Sequence, residues 1–292
     1  MRALDRLGWA AGFCFRAYGL RVGVRTNCPA FLEEALGCLP AGAQLDAGPV
    51  VDHLFSAVVG DAPGRRGVRR LHLLYADALR VTRTPYREEF VGDLERHIEQ
   101  MLLVASPRRL FVHSGAVGWR GVGLLVPGAS HSGKSTLVAE LVRLGASYFS
   151  DEYAVVDLRG RVHPYPRPLK LRSQSGEGSV RVQELRGRTG MRPLPIGLIA
   201  FVPFRKGARW APRRLSPGSA ALGLLRNTPC TRLQPGKALS LVRAAASRAR
   251  AIEGPRGEAT EVAAHLIDAL EAVSCELRLG RSSDGGSTEG AS

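Results

Sequence analysis

Two glycines separated by four residues and followed by lysine and serine stand at Gly128-Ala129-Ser130-His131-Ser132-Gly133-Lys134-Ser135, with Thr136 next. Glycines in such a run let the backbone turn tightly and aim N–H groups inward, so a phosphate meets several donors and a helix N-terminus together. A lysine placed there reaches the outer phosphates of a nucleoside triphosphate, and the serine hydroxyl is a ligand for Mg²⁺. Gly128–Thr136 are therefore the candidate nucleotide-binding residues, with ATP and Mg²⁺ as candidate cofactors and Ser135 as a metal ligand. The pattern also arises by chance wherever a glycine-rich turn precedes a helix, so its context decides.

That context agrees with the motif. The apolar run Val122–Val126 reads as a buried strand, and Leu137, Val138, Leu141, Val142 and Leu144 recur at helical spacing before a capping Gly145. Arg109–Trp119 reads as a strand forming a hairpin with Val122–Val126. A further strand, Ser147–Phe149, runs into Asp151-Glu152, seventeen residues after Lys134. Phosphoryl transfer needs a carboxylate for Mg²⁺ and, for a hydroxyl acceptor, another to take its proton. Neighbours at a strand end send their side chains apart and can divide those tasks. Alone, the pair reads equally well as two surface acids at a turn, and His113 as a packed strand histidine.

An ABC-type ATPase would carry Leu-Ser-Gly-Gly-Gln and a GTPase Asn-Lys-x-Asp; the chain has neither. These segments resemble the HPr kinase/phosphorylase family, in its short HPr kinase-like (serine kinase) branch. The resemblance is close over Leu110–Arg172: Val112-His113-Ser-Gly-Ala-Val, Gly128–Thr136, Ser150-Asp151-Glu152-Tyr-Ala-Val, and Arg161-Val-His-Pro-Tyr-Pro-Arg-Pro-Leu169. It continues weakly through Leu215-Ser-Pro and Leu225-Arg-Asn-Thr228. It implies Asp151 as the base that takes a serine proton, Glu152 as a Mg²⁺ ligand, and His113 beside the transferring phosphate. It also implies the fold shared with phosphoenolpyruvate carboxykinases. Two departures bear on phosphorolysis and on HPr as substrate. The bifunctional enzymes carry Asp-Asp at Asp151-Glu152, and their Glu-Ile-Arg-Gly-Leu-Gly-Ile signature has only the partial echo Glu184-Leu-Arg-Gly187.

The elements that must position these residues belong to a mixed α/β chain. Residues 1–105 read as a small α/β unit: strands at Leu20–Arg25, Val51–Val59 and Leu71–Tyr75, a short helix at Phe31–Leu36, a loop at Gly60–Gly67, and a helix over Asp93–Ala105. Residues 106–280 form the nucleotide unit. Within it Tyr153–Leu158, Leu169–Arg172 and Ile196–Phe201 read as strands, Gln174–Pro195 as a mobile loop, and Lys237–Arg250 and Glu258–Val273 as helices. Ser216 and Pro217 start another helix. Residues 281–292 read as a disordered tail.

The net charge of +15 concentrates between Phe204 and Arg250, with eleven Lys or Arg and no Asp or Glu. Such a field attracts anions, or is simply a solvated face. No nucleic-acid motif accompanies it, so no specific nucleic acid is expected. Five scattered cysteines argue for reduced thiols. No apolar run of membrane-spanning length occurs, so the expectation is a soluble cytoplasmic protein without a membrane partner. The combined expectation is a kinase transferring the γ-phosphoryl group to a serine of an unidentified protein or peptide. A non-catalytic ATP-binding regulatory module, a small-molecule kinase on the same fold, and a homo-oligomer stay open.

Overall fold

The computed structural model describes residues 4–60, 71–129, 132–173 and 176–283. The chain is mixed α/β and separates into two compact units, Met1–Arg108 and Arg109–Ser292.

The first unit contains β1 (Ala11–Ala17), β2 (Leu20–Thr26), α1 (Leu32–Gly37), β3 (Gln44–Asp46), β4 (His53–Val58), β5 (His72–Ala76), β6 (Leu79–Thr84) and α2 (Arg87–Ala105). Its sheet has the order β3-β1-β2-β4-β5-β6, with β2 and β4 parallel. The helix expected from Asp93 begins six residues earlier, at Arg87. Phe90 starts its apolar stripe, continued four residues at a time by Leu94, Ile98 and Leu102, all buried. Glu88 and Glu89 in the first turn suit the positive end of the helix dipole. Most of the Gly60–Gly67 loop falls outside the described residues.

The second unit contains β7 (Arg109–Trp119), β8 (Val122–Pro127), α3 (Lys134–Arg143), β9 (Ser147–Ser150), β10 (Tyr153–Asp157), β11 (Arg161–His163), β12 (Leu169–Ser173), β13 (Gly176–Val180), β14 (Arg188–Thr189), β15 (Leu194–Phe201), β16 (Arg213–Arg214), α4 (Pro217–Arg226), α5 (Pro235–Ala246), β17 (Arg250–Glu253) and α6 (Ala259–Ser283). The hairpin of β7 and β8 is antiparallel, whereas β8 and β17 both run parallel to β15. Every residue of β8 is buried. Alternation explains why: Leu124 and Val126 pack with α3 and α6 on one face, and Leu125 packs with α4 and α5 on the other. A strand covered on both faces reads as an unbroken apolar run.

Three expectations are corrected here. Of the expected loop Gln174–Pro195, residues 174 and 175 lie outside the described residues, and the rest is not structureless: β13 pairs with β12, a 3-10 turn covers Val182–Leu185, and β14 pairs with β9. Its glycines and polar residues hid strands that exist through pairing rather than through burial. The helix expected over Lys237–Arg250 stops at Ala246, and Arg250 opens β17. At the C-terminus α6 runs to Ser283, three residues into the expected tail; residues 284–292 lie outside the described residues. Among the described residues no helix is long and apolar enough to cross a membrane. All five cysteines are free thiols.

Candidate functional site

The glycine-rich segment occupies the turn between the C-terminal end of β8 and the first turn of α3, whose helix starts at Lys134. Gly133 caps that helix in the left-handed region, at φ +81°. That conformation favours glycine, and a Cβ there would lie 2.5 Å from the Arg256 guanidinium, which would have to shift. Ser130 and His131 lie outside the described residues. Ser132 donates its N–H to the Ala129 carbonyl at 3.3 Å. Ser135 is half-buried on the first turn, and Thr136 is exposed.

Lys134 is buried, and its Nζ donates to the carbonyls of Gly128 at 2.8 Å and Ala129 at 2.7 Å. Burial holds its ammonium pKa below the usual lysine value, while Asp151 and Glu152 pull it back up. Both carboxylates therefore act on this one cation.

The middle of β7 brings them together. Ser114 stands opposite Pro127 on one side, and on the other its N–H donates to the Glu152 carbonyl at 3.1 Å. The next residue back, His113, accepts from the Gly128 N–H at 3.3 Å and pairs in register with Tyr153. The start of the glycine-rich turn and the Asp151-Glu152 turn thus flank a single strand position. Gly115 lets α3 approach this strand: a Cβ there would meet Val138 at 2.6 Å.

The His113 ring is half-buried, 5.8 Å from the Tyr153 ring, and its N–H backbone group donates to the Asn227 carbonyl at 2.6 Å. Burial, and secondarily the Lys134 charge, hold its imidazole below the usual pKa, so the neutral form prevails at pH 7. Asp151 is buried at 6 % exposure. It accepts from the Tyr148 hydroxyl at 3.1 Å and from the Lys170 backbone N–H at 3.3 Å. Tyr148 Oη is also 2.7 Å from the Arg167 carbonyl. Burial and the Asp151 carboxylate push that phenol well up, so it stays protonated. Glu152 is half-buried, its backbone N–H on Ser150 Oγ at 3.3 Å.

Lys134 also lines a cavity of about 680 Å³. It is lined by Gly128, Ala129, Ser132 and Lys134, by the C-terminal ends of β15 and β17, and by Arg205, Arg213, Asn227 and Arg256. The carboxylate pair and His113 are not among its lining residues. Nothing in the spacing of residues singles out Arg256, which sits in a Gly-Pro-Arg-Gly stretch that reads as a loop. Its guanidinium is 2 % exposed, donates to the carbonyls of Gly133 at 2.8 Å and Gly257 at 3.0 Å, and lies over the Phe204 ring. Its Nε has no hydrogen-bond partner, and burial lowers its pKa.

The basic stretch recruits acids from outside itself: Arg213 pairs with Glu253 at 2.7 Å, and Arg250 with Glu276 at 2.5 Å. His163, for which the sequence suggested no task, donates from Nε2 to the carboxylate of Asp157, the last residue of β10, at 2.9 Å. No protein-family model and no curated protein matches this chain.

Proposed function

We propose that this chain is an ATP- and Mg²⁺-dependent kinase that transfers the γ-phosphoryl group to a serine hydroxyl of a small protein or peptide. On this reading it is an HPr kinase-like serine kinase with a P-loop nucleotide-binding domain of the phosphoenolpyruvate carboxykinase-like fold. The observation that carries the proposal is the place of Lys134, which bonds the glycine-rich turn and feels the charges of Asp151 and Glu152. A loop suited to phosphates and a carboxylate pair suited to Mg²⁺ and to an acceptor's proton both act on one cation.

On binding, Lys134 leaves the Gly128 and Ala129 carbonyls for the β- and γ-phosphates, which the loop amides also receive. The serine oxygen attacks the γ-phosphorus, the bond to the β–γ bridging oxygen breaks, and ADP leaves. Asp151 accepts the serine proton. Its carboxylate has lone pairs left beyond those used by Tyr148 and Lys170. His113, neutral and sensing the Lys134 charge, would stand beside the transferring phosphate. Ser135 and Glu152 are the residues that would hold Mg²⁺, which supplies charge neutralisation on the phosphates. Among the described residues no group of three His, Cys, Asp or Glu forms a metal cage. Mg²⁺ needs none where one carboxylate, a hydroxyl, phosphates and waters complete its shell.

The test is incubation with γ-labelled ATP, Mg²⁺ and an extract of the source cells. The expected result is label on serine of a protein or peptide, abolished by removing Mg²⁺. Label appearing only on small molecules, or ATP binding without any transfer, defeats it.

A further inference from the structure

Neither the glycine-rich motif nor the carboxylate pair singles out Tyr148, yet its hydroxyl touches Asp151. We propose that Tyr148 is a positioning residue whose hydroxyl turns between Asp151 and the Arg167 carbonyl as Asp151 gains and gives up the serine proton, an assignment that rests on the kinase reading above.

Backbone fixes both ends of this contact. Tyr148 lies in β9, its ring buried in the same core as Leu141 and Val142 of α3. Arg167 lies in the run Pro164-Tyr165-Pro166-Arg167-Pro168 between β11 and β12. The proline after Arg167 favours extended backbone there. The Tyr165 N–H donates to the Phe149 carbonyl at 2.9 Å, which fastens the run to β9 one residue beyond Tyr148.

A phenol has one proton to give, and two acceptors lie within its reach. The Arg167 carbonyl is at 2.7 Å and Asp151 Oδ1 at 3.1 Å. The first distance is usual for O–H···O and the second is long. Arg167 alone would satisfy the hydroxyl, so packing does not call for Asp151 beside it. The carboxylate is buried and, among the described residues, receives two hydrogen bonds, from Tyr148 and from the Lys170 N–H at 3.3 Å. While Asp151 is ionised, one phenol proton serves two acceptors and one of them goes short. With a proton on Oδ1 every group is satisfied: Oδ1–H donates to Tyr148 Oη, and Oη–H donates to the Arg167 carbonyl. A hydrogen bond made by the neutral form of an acid favours that form. The pair therefore stabilises the state that the base reaches during the reaction.

The serine O–H bond breaks as its oxygen attacks the γ-phosphorus, and the proton forms a bond to Asp151 Oδ1. Rotation about the Cγ–Oδ1 bond aims that proton at Tyr148 Oη, while the phenol proton swings to Arg167. Tyr148 itself neither gains nor loses a proton, since burial keeps the phenol protonated throughout.

Tyr148→Phe keeps the buried ring and removes the hydroxyl. The measurement is the rate of label transfer from γ-labelled Mg-ATP to serine in an extract of the source cells, with calorimetric Mg-ATP affinity beside it. Wild type, Tyr148→Phe, Asp151→Asn and the double variant are compared. Transfer by Tyr148→Phe should be slower by about ten- to a hundredfold, as for the loss of a hydrogen bond to a charged group. Its Mg-ATP affinity should stay within about twofold of wild type. The double variant should be no slower than Asp151→Asn, because Tyr148 acts only through the base. An unchanged rate in Tyr148→Phe, an equal further loss in the double variant, or a loss of Mg-ATP affinity would make Tyr148 a packing residue. Each of these overturns the assignment and leaves the kinase reading standing. A wild type that transfers no label to serine sinks the kinase reading itself, and this proposal with it.

Discussion

The Arg256 guanidinium donates to the carbonyl of Gly133, 123 residues earlier, at 2.8 Å. That single bond ties the end of β17 to the last glycine before α3. The Gly133 carbonyl does not depend on it, since the Leu137 N–H also donates there at 3.1 Å. What Arg256 adds is a buried positive charge next to the glycine-rich turn.

Arg256→Met keeps the volume and removes the charge. Replacing buried ions by apolar groups of similar size is often neutral or stabilising. The ligand-free variant should therefore melt within about 4 °C of wild type, roughly 1 kcal/mol for a chain of this size. Its Mg-ATP affinity should fall about tenfold or more, and Arg256→Lys should recover part of it. Differential scanning calorimetry with and without Mg-ATP reads both effects. A drop of more than about 10 °C without ligand would make Arg256 a structural strut.

Lys134 is held by two carbonyls of its own loop in the ligand-free state. A nucleotide must exchange those two bonds for charge-assisted ones to phosphate, which are about twice as strong. Lys134→Met keeps most of the aliphatic stem, so the fold should persist. Phosphoryl transfer should disappear, and Mg-ATP binding should weaken at least tenfold by calorimetry. Transfer at the wild-type rate would remove the glycine-rich turn from the mechanism.

Much of this site was legible in the sequence because it is local. Strand, turn and helix at Val122–Leu144 follow from one apolar run and one helical period, and Asp151-Glu152 follows a strand that periodicity already places. What escaped is what the chain assembles from a distance. Arg250-Ala-Ile-Glu253 alternates charge and apolarity over only four residues, and becomes a strand by pairing in parallel with Leu198–Phe201. Gly176–Val180 carries two glycines and is a strand because β12 lies beside it. Arg256 looks like one more arginine in a basic region until the fold sets it against Gly133. Pairing and burial of this kind override local preference.

The histidines set the response to mild acid. Burial holds His113 and His163 below the ordinary histidine value of 6.5, so the unfolded chain takes up protons at a higher pH than the native one. Stability is then full above about pH 6.5 and declines as pH falls below it, because stability rises with pH wherever the unfolded state binds more protons. The buried Asp157 works in a different window. Burial alone would raise its pKa, but hydrogen bonds from His163, the Arg161 and Arg159 N–H groups and the Arg161 side chain hold it below 3.8, so its contribution is lost only in stronger acid. Thermal melts of wild type should show a falling midpoint from pH 7.5 to 5.5, and His113→Gln should show a smaller fall. An equal slope in both would mean that His113 titrates as a free imidazole.

Asp151 offers the sharpest separation of catalyst from binder, because its surroundings accept asparagine. In Asp151→Asn the amide oxygen can take the Lys170 N–H, which now bonds the carboxylate at 3.3 Å. The amide nitrogen can donate to the Tyr148 oxygen, whose own proton has the Arg167 carbonyl 2.7 Å away. Folding and nucleotide binding should thus survive, with Mg-ATP affinity within about threefold of wild type, since no phosphate ligand is removed. Only the group that accepts the serine proton is gone. General base catalysis is worth about 10²–10⁴ in rate, so single-turnover transfer from γ-labelled ATP to the acceptor should slow by that factor. Because the base is missing, the residual rate should rise with pH as the serine hydroxyl itself ionises more. An unchanged rate would return Asp151 to a structural turn between β9 and β10, held by Tyr148 for packing alone.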